Sequence, residues 1–342
     1  MRLLIIGTDE KAAIEQVYIK YLKEYPIVID FFPAQNLFSK YYNKNLFNKI
    51  IFRLGFSRIY LKINRLLKKK VESFSPDIIW VFKGMEVFPD TLKWASDKKI
   101  KLINYNPDNP FIFSGHGSGN KNITKSIHLY NRHITYDQKV SIRLSNEFHI
   151  PTDILPFGFE ISPELFSDIK NIDEIVKVCF IGNPDNERSS FINDLAKRGI
   201  ELDVYGHNWN KINLHHNINF FPPLYGEAFY KVLRKYRVQL NMMRKHNLHS
   251  HNMRSFEIPA IGGVMLAPST EDHHAFFEDE KDFFSYNDVD ECIVKINYIL
   301  RLNADKIEKI RDAARSKSIN SSYSYKNRAE QALKILTQLY ES

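Results

Sequence analysis

The sequence predicts an α/β protein made of two doubly wound, Rossmann-like domains that face a cleft. Short apolar or β-branched runs alternate with segments of helical spacing along the whole chain. Most of these runs are apolar on both faces, which indicates parallel strands covered by helices on both sides. The alternation is interrupted at ILPFGFEISPELF, residues 154–166, by two prolines and a glycine, and then begins again.

The first half contributes five predicted strands. They occupy residues 2–7, 27–32, 77–84, 101–106 and 133–137. Segments between them, such as residues 15–25 and 90–99, have helical spacing. We therefore predict a first domain over residues 1–155.

The second half repeats the scheme. Its predicted strands occupy residues 176–182, 201–206, 218–221, 238–243 and 264–269. Its predicted helices occupy residues 194–200, 227–236, 254–263 and 290–302. We predict a second domain over residues 156–322 and a C-terminal helix, residues 323–342, that packs back toward the first domain.

Composition excludes several classes of protein. Lysines and arginines number 48 against 40 acidic residues, so the surface should attract phosphates or anionic lipid, but no RNA- or DNA-binding motif accompanies the charge. There are two cysteines, and Cys179 lies inside the apolar run VKVCFIG, which argues against a disulfide framework or a zinc ribbon and suits a reducing cytoplasm. No apolar stretch reaches the length of about 18 residues that a membrane span requires, and the N-terminal run is too short for a signal peptide.

Polar and glycine residues follow the second-half strands, where parallel sheets bind ligands. Gly182 closes the first of these strands and Arg188 lies near the start of the next helix, a position suited to an anion. The alternative is a tight turn with a solvated arginine. In VYGHNW, Tyr205, Gly206 and His207 end the next strand.

The loop FFPPLY follows the third strand of this half. It places Pro223 and Leu224 at the same predicted edge, where a proline-stiffened apolar loop could hold a flat base. Packing of the loop into its own domain is an equal alternative.

Two charged residues stand at the edge of otherwise apolar sequence in SHNMRSFEIPAIGG. A helix that starts near Asn252 or Met253 puts Arg254 in its first turn, where a cation is disfavoured unless an anion binds there too. Glu257 lies one turn further on the same face and suits the hydroxyls of a ribose. The alternative is an i, i+3 salt bridge between Arg254 and Glu257.

An ordered series of segments resembles one group of enzymes. FIGNPDNERSSFINDLAKRGIELDVYGHNW, YRVQLNM, HNMRSFEIPAIGGVMLAPSTEDHHAFFEDEKDFFSYNDVDECIVKINYIL and SYSYKNRAEQAL resemble the donor half of GT-B glycosyltransferases of the CgeB-like, glycosyl transferases group 1 type, and KGMEVFPDTLKWASDKKIKLINYNPDNP resembles their first half more loosely. The resemblance implies a GT-B architecture, a nucleotide diphosphate sugar as donor, and a ribose-binding role for Glu257. The expected donor-binding residues are Gly182, Arg188, Tyr205, Gly206, His207, Pro223, Leu224, His249, Asn252, Arg254 and Glu257.

The sequence departs from the family at one position. Many retaining relatives have a second glutamate eight residues before the ribose-binding one, where this chain has His249. His246, His249 and His251 could donate hydrogen bonds to a diphosphate. Zinc is the competing interpretation, but the segment RKHNLHSHNMR has no Cys or carboxylate to complete a site.

We expect no metal and no cofactor besides the donor substrate. Asp288 and Asp290 spell DVD, which resembles the metal-binding pair of another glycosyltransferase fold, but they precede a helical run and are better explained as caps.

The first half should supply the acceptor site and the general base. Asp108 lies past a predicted strand between prolines, and His116 lies in the glycine-rich FSGHGSGN, a segment suited to closing over substrate. An Asx-turn for Asp108 and a solvated side chain for His116 are the alternatives. Lys83 and Gly84 are expected to line the cleft.

Residues 43–72 mix Lys and Arg with Ile, Leu and Phe at helical spacing. Such a helix can lie on an anionic membrane or can pack its apolar face inside the domain, and both remain open. Together with these features, the resemblance implies a cytoplasmic, metal-independent glycosyltransferase of bacterial surface polysaccharide or glycoconjugate synthesis. Its expected acceptor is a glycan, lipid-linked or protein acceptor, and the membrane contact would place it on the inner face of the membrane. A non-catalytic nucleotide-sugar or glycan binding protein of the same fold is the alternative.

Overall fold

The computed structural model describes residues 1–10, 13–113, 117–244 and 247–342, and it confirms the α/β class. The chain divides into two compact units. Met1–Pro156 together with Tyr325–Ser342 form unit 1, and Phe157–Ser324 form unit 2.

Unit 1 is built on a six-stranded sheet whose neighbouring strands are all parallel. Its strands are β1 (Arg2–Ile6), β2 (Val28–Phe32), β3 (Ile78–Phe82), β4 (Lys101–Tyr105), β5 (Arg132–Thr135) and β6 (Thr152–Ile154), in the spatial order β2-β1-β3-β4-β5-β6. Its helices are α1 (Ile14–Leu22), α2 (Ala34–Tyr42), α3 (Leu46–Arg53), α4 (Ile59–Phe74), α5 (Pro89–Asp97), α6 (Lys121–Ser126) and α7 (Gln138–Phe148), with a 3₁₀ turn at Ile127–Leu129. Every residue of β3 is buried, because helices cover both faces of the sheet, and this explains why its sequence is continuously apolar.

Unit 2 repeats the arrangement with a second parallel sheet. Its strands are β7 (Ile175–Ile181), β8 (Leu202–Tyr205), β9 (Ile218–Phe221), β10 (Tyr236–Leu240), β11 (Met265–Pro268) and β12 (Phe284–Tyr286), in the spatial order β12-β11-β10-β7-β8-β9. Its helices are α8 (Pro163–Ile169), α9 (Asn186–Lys197), α10 (Gly226–Lys235), α11 (Arg254–Ala260), α12 (Glu271–Phe276), α13 (Val289–Arg301) and α14 (Ala304–Asn320), with a 3₁₀ turn at Trp209–Lys211. The last helix, α15 (Tyr325–Glu341), belongs to unit 1 and packs against α1.

The structure corrects the sequence prediction at several element bounds. The edge strands β6 and β12 were not predicted, because three residues are too few to give a periodic pattern. Strand β10 begins two residues earlier and ends three residues earlier than the apolar run 238–243 suggests. Helix α9 begins eight residues before the predicted 194–200, because Asp185 caps it by accepting a hydrogen bond from the Arg188 amide at 2.9 Å.

A buried ion network fastens α14 to the sheet of unit 2. The Arg311 guanidinium contacts Glu174 Oε1 at 2.9 Å and Glu308 Oε1 at 2.6 Å. Arg234 contacts the other oxygen of Glu308 at 3.0 Å, and Arg237 pairs with Glu174. Three cations therefore share two carboxylates, and each carboxylate has two arginine partners.

None of the helices within the described residues is both long and apolar enough to cross a membrane.

Candidate functional site

The strand order places a topological switch point in each sheet. In unit 2 the chain proceeds outward from β7 through β8 to β9 and then returns to β10 on the other side of β7. In unit 1 the corresponding reversal lies between β1 and β3. Ligands of open α/β sheets bind beyond the carboxyl ends of the strands at such points, so the loops after β7 and β10 and those after β1 and β3 are the places to examine.

The loops after β7 and β8 touch through their glycines. Gly182 N donates to Tyr205 O at 2.8 Å, and a Cβ added to Gly206 would lie 2.4 Å from Gly182 O. Only glycine fits at Gly206 without a backbone shift, since 2.4 Å is far inside van der Waals contact. The Trp209 indole donates to Gly182 O at 2.9 Å and fixes this close approach.

His207 and Tyr205 are held by neighbours within the same edge. His207 N donates to Asn183 Oδ1 at 2.8 Å, and its Nε2 lies 2.9 Å from the Tyr225 hydroxyl. The Tyr205 ring stacks on Phe221 with ring centres 4.8 Å apart, and its hydroxyl lies 3.0 Å from the Tyr236 hydroxyl. Pro223 and Leu224 are half-buried in the loop between β9 and α10.

Arg188 bridges the two loops of the unit 2 switch point, and the structure contradicts the alternative of a solvated side chain. Its guanidinium is buried; Nη2 donates to Met242 O at 2.7 Å and Nη1 donates to Asn183 O at 3.4 Å. The loops after β10 and after β7 are thereby joined by one cation.

Three arginine charges converge at this point. Burial lowers the pKa of Arg188 to about 10; the charge of Asp185 opposes that change, and the charges of Arg244 and Arg254 add to it. Within the described residues, Arg188 Nε and Arg254 Nε are buried donors with no hydrogen-bond acceptor, and the Asp185 carboxylate lies 3.8 Å from Arg188 Nε. Buried N–H groups normally have partners, so this cluster is suited to an anion with several oxygens.

Arg254 and Glu257 form the i, i+3 ion pair that their spacing allowed. Arg254 Nη1 bonds to Glu257 Oε2, and the guanidinium lies 4.2 Å from the centre of the Phe229 ring. The carboxylate of Glu257 is nearly buried. Helix α11, which carries both residues, ends at Ala260, and Gly262 adopts a positive φ of 68° just beyond it.

A buried polar network that the sequence did not indicate holds the start of α11. His273 Nδ1 donates to Pro268 O at 2.8 Å, so its Nε2 accepts from the Ser255 hydroxyl at 2.8 Å. Burial lowers the pKa of His273 to about 4, which keeps the ring neutral in this role. Asn241 Nδ2 donates to Ser255 Oγ at 3.1 Å.

Asn252 joins the same network. Its Nδ2 donates to Asn241 Oδ1 at 2.8 Å, and its Oδ1 accepts from the Ser255 amide at 3.1 Å. The position of Asn241 in the run VQLNMM, directly after a strand, is the sequence signal that could have identified it.

The histidines before α11 have different surroundings. His251 is fully buried, and its Nδ1 lies 2.7 Å from Asp272 Oδ2, so its ring is held within unit 2. Its suggested hydrogen bond to a diphosphate stays a prediction. Burial alone would raise the pKa of Asp272, but the hydrogen bonds from His251 and Ser250 lower it. His249 is exposed on the loop between β10 and α11, and His246 lies outside the described residues.

In unit 1 the loop after β3 brings Lys83 to Asp108. Lys83 has a φ of 63° and precedes Gly84 with a φ of 98°. Its Nζ contacts Asp108 Oδ2 at 2.6 Å and Gly117 O at 2.5 Å. The Asx-type bond is made by Asn106, whose Oδ1 accepts from the Asp108 amide at 3.1 Å.

Two buried glutamates that the sequence analysis missed lie around Lys83. Burial raises the pKa of Glu86 to about 7; the charge of Lys83 opposes this and the charge of Glu15 adds to it. Burial also raises the pKa of Glu15, whose Oε1 accepts from the Thr8 amide at 2.7 Å. Glu86 follows a strand end just as Asp108 does, which is the signal that could have pointed to it. The other predicted base, His116, lies outside the described residues.

No group of three or more His, Cys, Asp or Glu side chains in the described part of the chain could hold a metal ion. Asp288 caps α13 by accepting from the Glu291 amide at 2.9 Å, and Asp290 pairs with Arg198. The capping prediction is confirmed for Asp288 and is wrong for Asp290, which lies inside the first turn of α13.

Comparisons with known proteins relate both the sequence and the fold of the chain to proteins already described. Residues 188–334 match the family model described as "Glycosyl transferase-like". The chain has the GT-B fold. No curated protein matches the sequence.

Solved GT-B-type structures cover nearly the whole chain at low identity. Sucrose-phosphate synthase from Thermosynechococcus elongatus superposes with a TM-score of 0.69 and 10% identity over 100% of this chain and 99% of its own. HepE from Anabaena, solved in complex with UDP-glucose, superposes with a TM-score of 0.64 and 12% identity over 99% of this chain and 100% of its own. UDP-GlcNAc 2-epimerase from Neisseria meningitidis, bound to UDP-GlcNAc, superposes with a TM-score of 0.58 and 15% identity over 99% of this chain and 100% of its own. These likenesses show the fold, and the glycosyl transferase-like segment covers most of unit 2.

Proposed function

We propose that this protein is a glycosyltransferase that moves a sugar from a nucleotide diphosphate sugar to a glycan, lipid-linked or protein acceptor. The observation that carries the proposal is the convergence of Arg188, Arg244 and Arg254 at the switch point of unit 2, within the glycosyl transferase-like segment. The narrower resemblance to the CgeB-like group stays a prediction.

The donor's diphosphate is assigned to the arginine cluster. Arg188 Nε and Arg254 Nε offer buried donors for its oxygens. Glu257 is assigned to the ribose hydroxyls, as the family resemblance implies. Because Arg254 bonds to Glu257, we expect the diphosphate to compete with Glu257 for Arg254 when the donor binds.

The transfer breaks the bond between the sugar's anomeric carbon and the diphosphate oxygen and forms one to the acceptor oxygen. The leaving nucleoside diphosphate takes the electron pair, and the arginines stabilise its charge. The acceptor hydroxyl must lose a proton, and Asp108 is the proposed base in unit 1. Lys83, at 2.6 Å, orients that carboxylate.

We place the acceptor at an anionic membrane surface on the cytoplasmic side, as suits synthesis of surface polysaccharides. Residues 31–71 contain ten Lys and Arg and no Asp or Glu. Between 47% and 76% of each of several large apolar side chains is exposed there: Leu46, Phe47, Ile50, Leu54, Phe56 and Leu61. Exposed apolar groups among cations are typical of peripheral membrane contact. Flotation with phosphatidylglycerol vesicles tests this, and equal flotation with neutral phosphatidylcholine vesicles would contradict it.

A donor panel tests the central proposal. Thermal unfolding with UDP-glucose, UDP-GlcNAc and other nucleotide sugars should reveal a donor, since a ligand of the folded state raises its stability. Glu257→Gln should then weaken that binding by about 1–3 kcal/mol through loss of charge-assisted hydrogen bonds. Glu227→Gln, on the exposed surface of α10, is the matched control. Unchanged donor affinity in a folded Glu257→Gln protein would contradict the ribose role.

Product analysis separates transfer from other fates of the donor. Release of nucleoside diphosphate with slow formation of free sugar is expected in the absence of acceptor. A changed sugar still attached to the nucleotide would indicate epimerisation, and binding without turnover under all acceptor conditions would favour the non-catalytic alternative.

A further inference from the structure

The helices that carry the basic, apolar segment of unit 1 enclose a groove of about 660 Å³. Helices α2 and α4 form its walls, and the residues that link α3 to α4 close one end. Its floor is apolar and includes Leu37 and the buried Ile63.

Four cations surround this floor. Lys40, Lys44, Arg58 and Lys62 all line the groove, and no acidic residue is among its lining residues in the described part of the chain. The rim is therefore complementary to an anion, while the floor is complementary to a hydrocarbon chain. An isolated phosphate would leave the floor in contact with water, and a neutral apolar ligand would leave the cations without a counter-charge.

We propose that this groove binds single anionic lipids of the bilayer, with the phosphate between the four cations and the chain against Leu37 and Ile63. This inference rests on the proposed membrane contact and deepens it: a saturable lipid site exists within a surface that otherwise attracts anionic membranes through its net charge. Exposed Phe56, which lines the groove, lies where it can enter the bilayer beside the bound lipid.

The test compares two variants that lose the same number of charges. Lys44→Gln with Lys62→Gln removes two cations of the groove rim. Arg65→Gln with Lys69→Gln removes two exposed cations from α4 that do not line the groove. Binding of dodecyl phosphate below its micelle concentration is measured by calorimetry for the unchanged protein and for both variants.

The unchanged protein should bind one dodecyl phosphate saturably, the rim variant should bind it at least tenfold more weakly, and the control variant should stay within threefold. Inorganic phosphate and dodecyltrimethylammonium should bind at least tenfold more weakly than dodecyl phosphate. Equal losses of affinity for dodecyl phosphate in the two variants would show that binding depends on diffuse electrostatic attraction and not on the groove, and would overturn the proposal. Binding of inorganic phosphate as tight as that of dodecyl phosphate, or a dimer whose interface covers α2 and α4, would overturn it as well.

Thermal stabilisation by the nucleotide sugar should be the same in both variants. If no nucleotide sugar stabilises the unchanged protein, that result counts against the proposed transferase activity. The dodecyl phosphate measurements still decide the lipid proposal.

Discussion

Replacing Glu86 with glutamine should stabilise unit 1 at alkaline pH far more than at acid pH. The side chain of Glu86 is 4% exposed, and burial raises its pKa to about 7 from 4.5. Burial disfavours the ionised form, and the nearby cation Lys83 also contacts Asp108.

The sign follows from proton linkage. Between pH 4.5 and pH 7 the unfolded chain has released the proton while the folded protein retains it, so the free energy of unfolding falls as pH rises. The full cost, at about 1.4 kcal/mol per pKa unit, is on the order of 3 kcal/mol above pH 7. About 2.5 kcal/mol of it develops between pH 5 and pH 8.

Urea unfolding of the unchanged protein and of Glu86→Gln at pH 5, 6, 7 and 8 measures this difference. Trp80 and Trp94 both lie in unit 1 and report its unfolding by fluorescence. The stability gained from the substitution should increase by about 2.5 kcal/mol from pH 5 to pH 8, since groups unaffected by the substitution cancel. Glu72→Gln, an exposed substitution on α4, should show no such trend. A pH-independent difference for Glu86→Gln would refute the assignment of a raised pKa.

Four further predictions concern catalysis, stability and metal dependence. Asp108→Asn should lower transfer by about 100-fold with donor affinity retained in calorimetry, and a normal transfer rate would remove Asp108 from catalysis. Arg311→Ala should cost about 1–3 kcal/mol in chemical unfolding, because Glu174 and the half-exposed Glu308 each lose one of their two arginine partners, whereas Arg301→Ala at an exposed position of α13 should cost little. Burial lowers the pKa of His133 to about 4, as it does for His273. The stability that each neutral histidine preserves above pH 6.5 should therefore be lost as the pH falls toward 4, by about 2 kcal/mol per histidine at pH 5. His133→Gln should weaken this pH dependence when urea unfolding is measured across that range. Transfer should persist in EDTA, and loss of activity restored by manganese or magnesium would contradict metal independence.

The sequence by itself determined the fold class and most strand positions. Runs such as RLLII and IIWVF place apolar side chains on both faces of the strand, and a parallel sheet covered by helices buries both faces. Local capping was also readable, as at Asp288, because a cap depends on neighbours three residues away. The strands β6 and β12 escaped prediction because three-residue edge strands owe their existence to a partner strand distant in the chain.

The surroundings of the site residues were decided by the tertiary structure. Arg188 is buried because Met242 O, 54 positions along the chain, accepts its hydrogen bond, and no local pattern specifies such a contact. His251 and His249 are two residues apart, yet one is fixed to Asp272 and the other is exposed. The pKa of Glu86 depends on desolvation by elements from across unit 1. Periodicity reports which face of an element is apolar, but charge, pKa and hydrogen bonding are set by groups that only folding brings together.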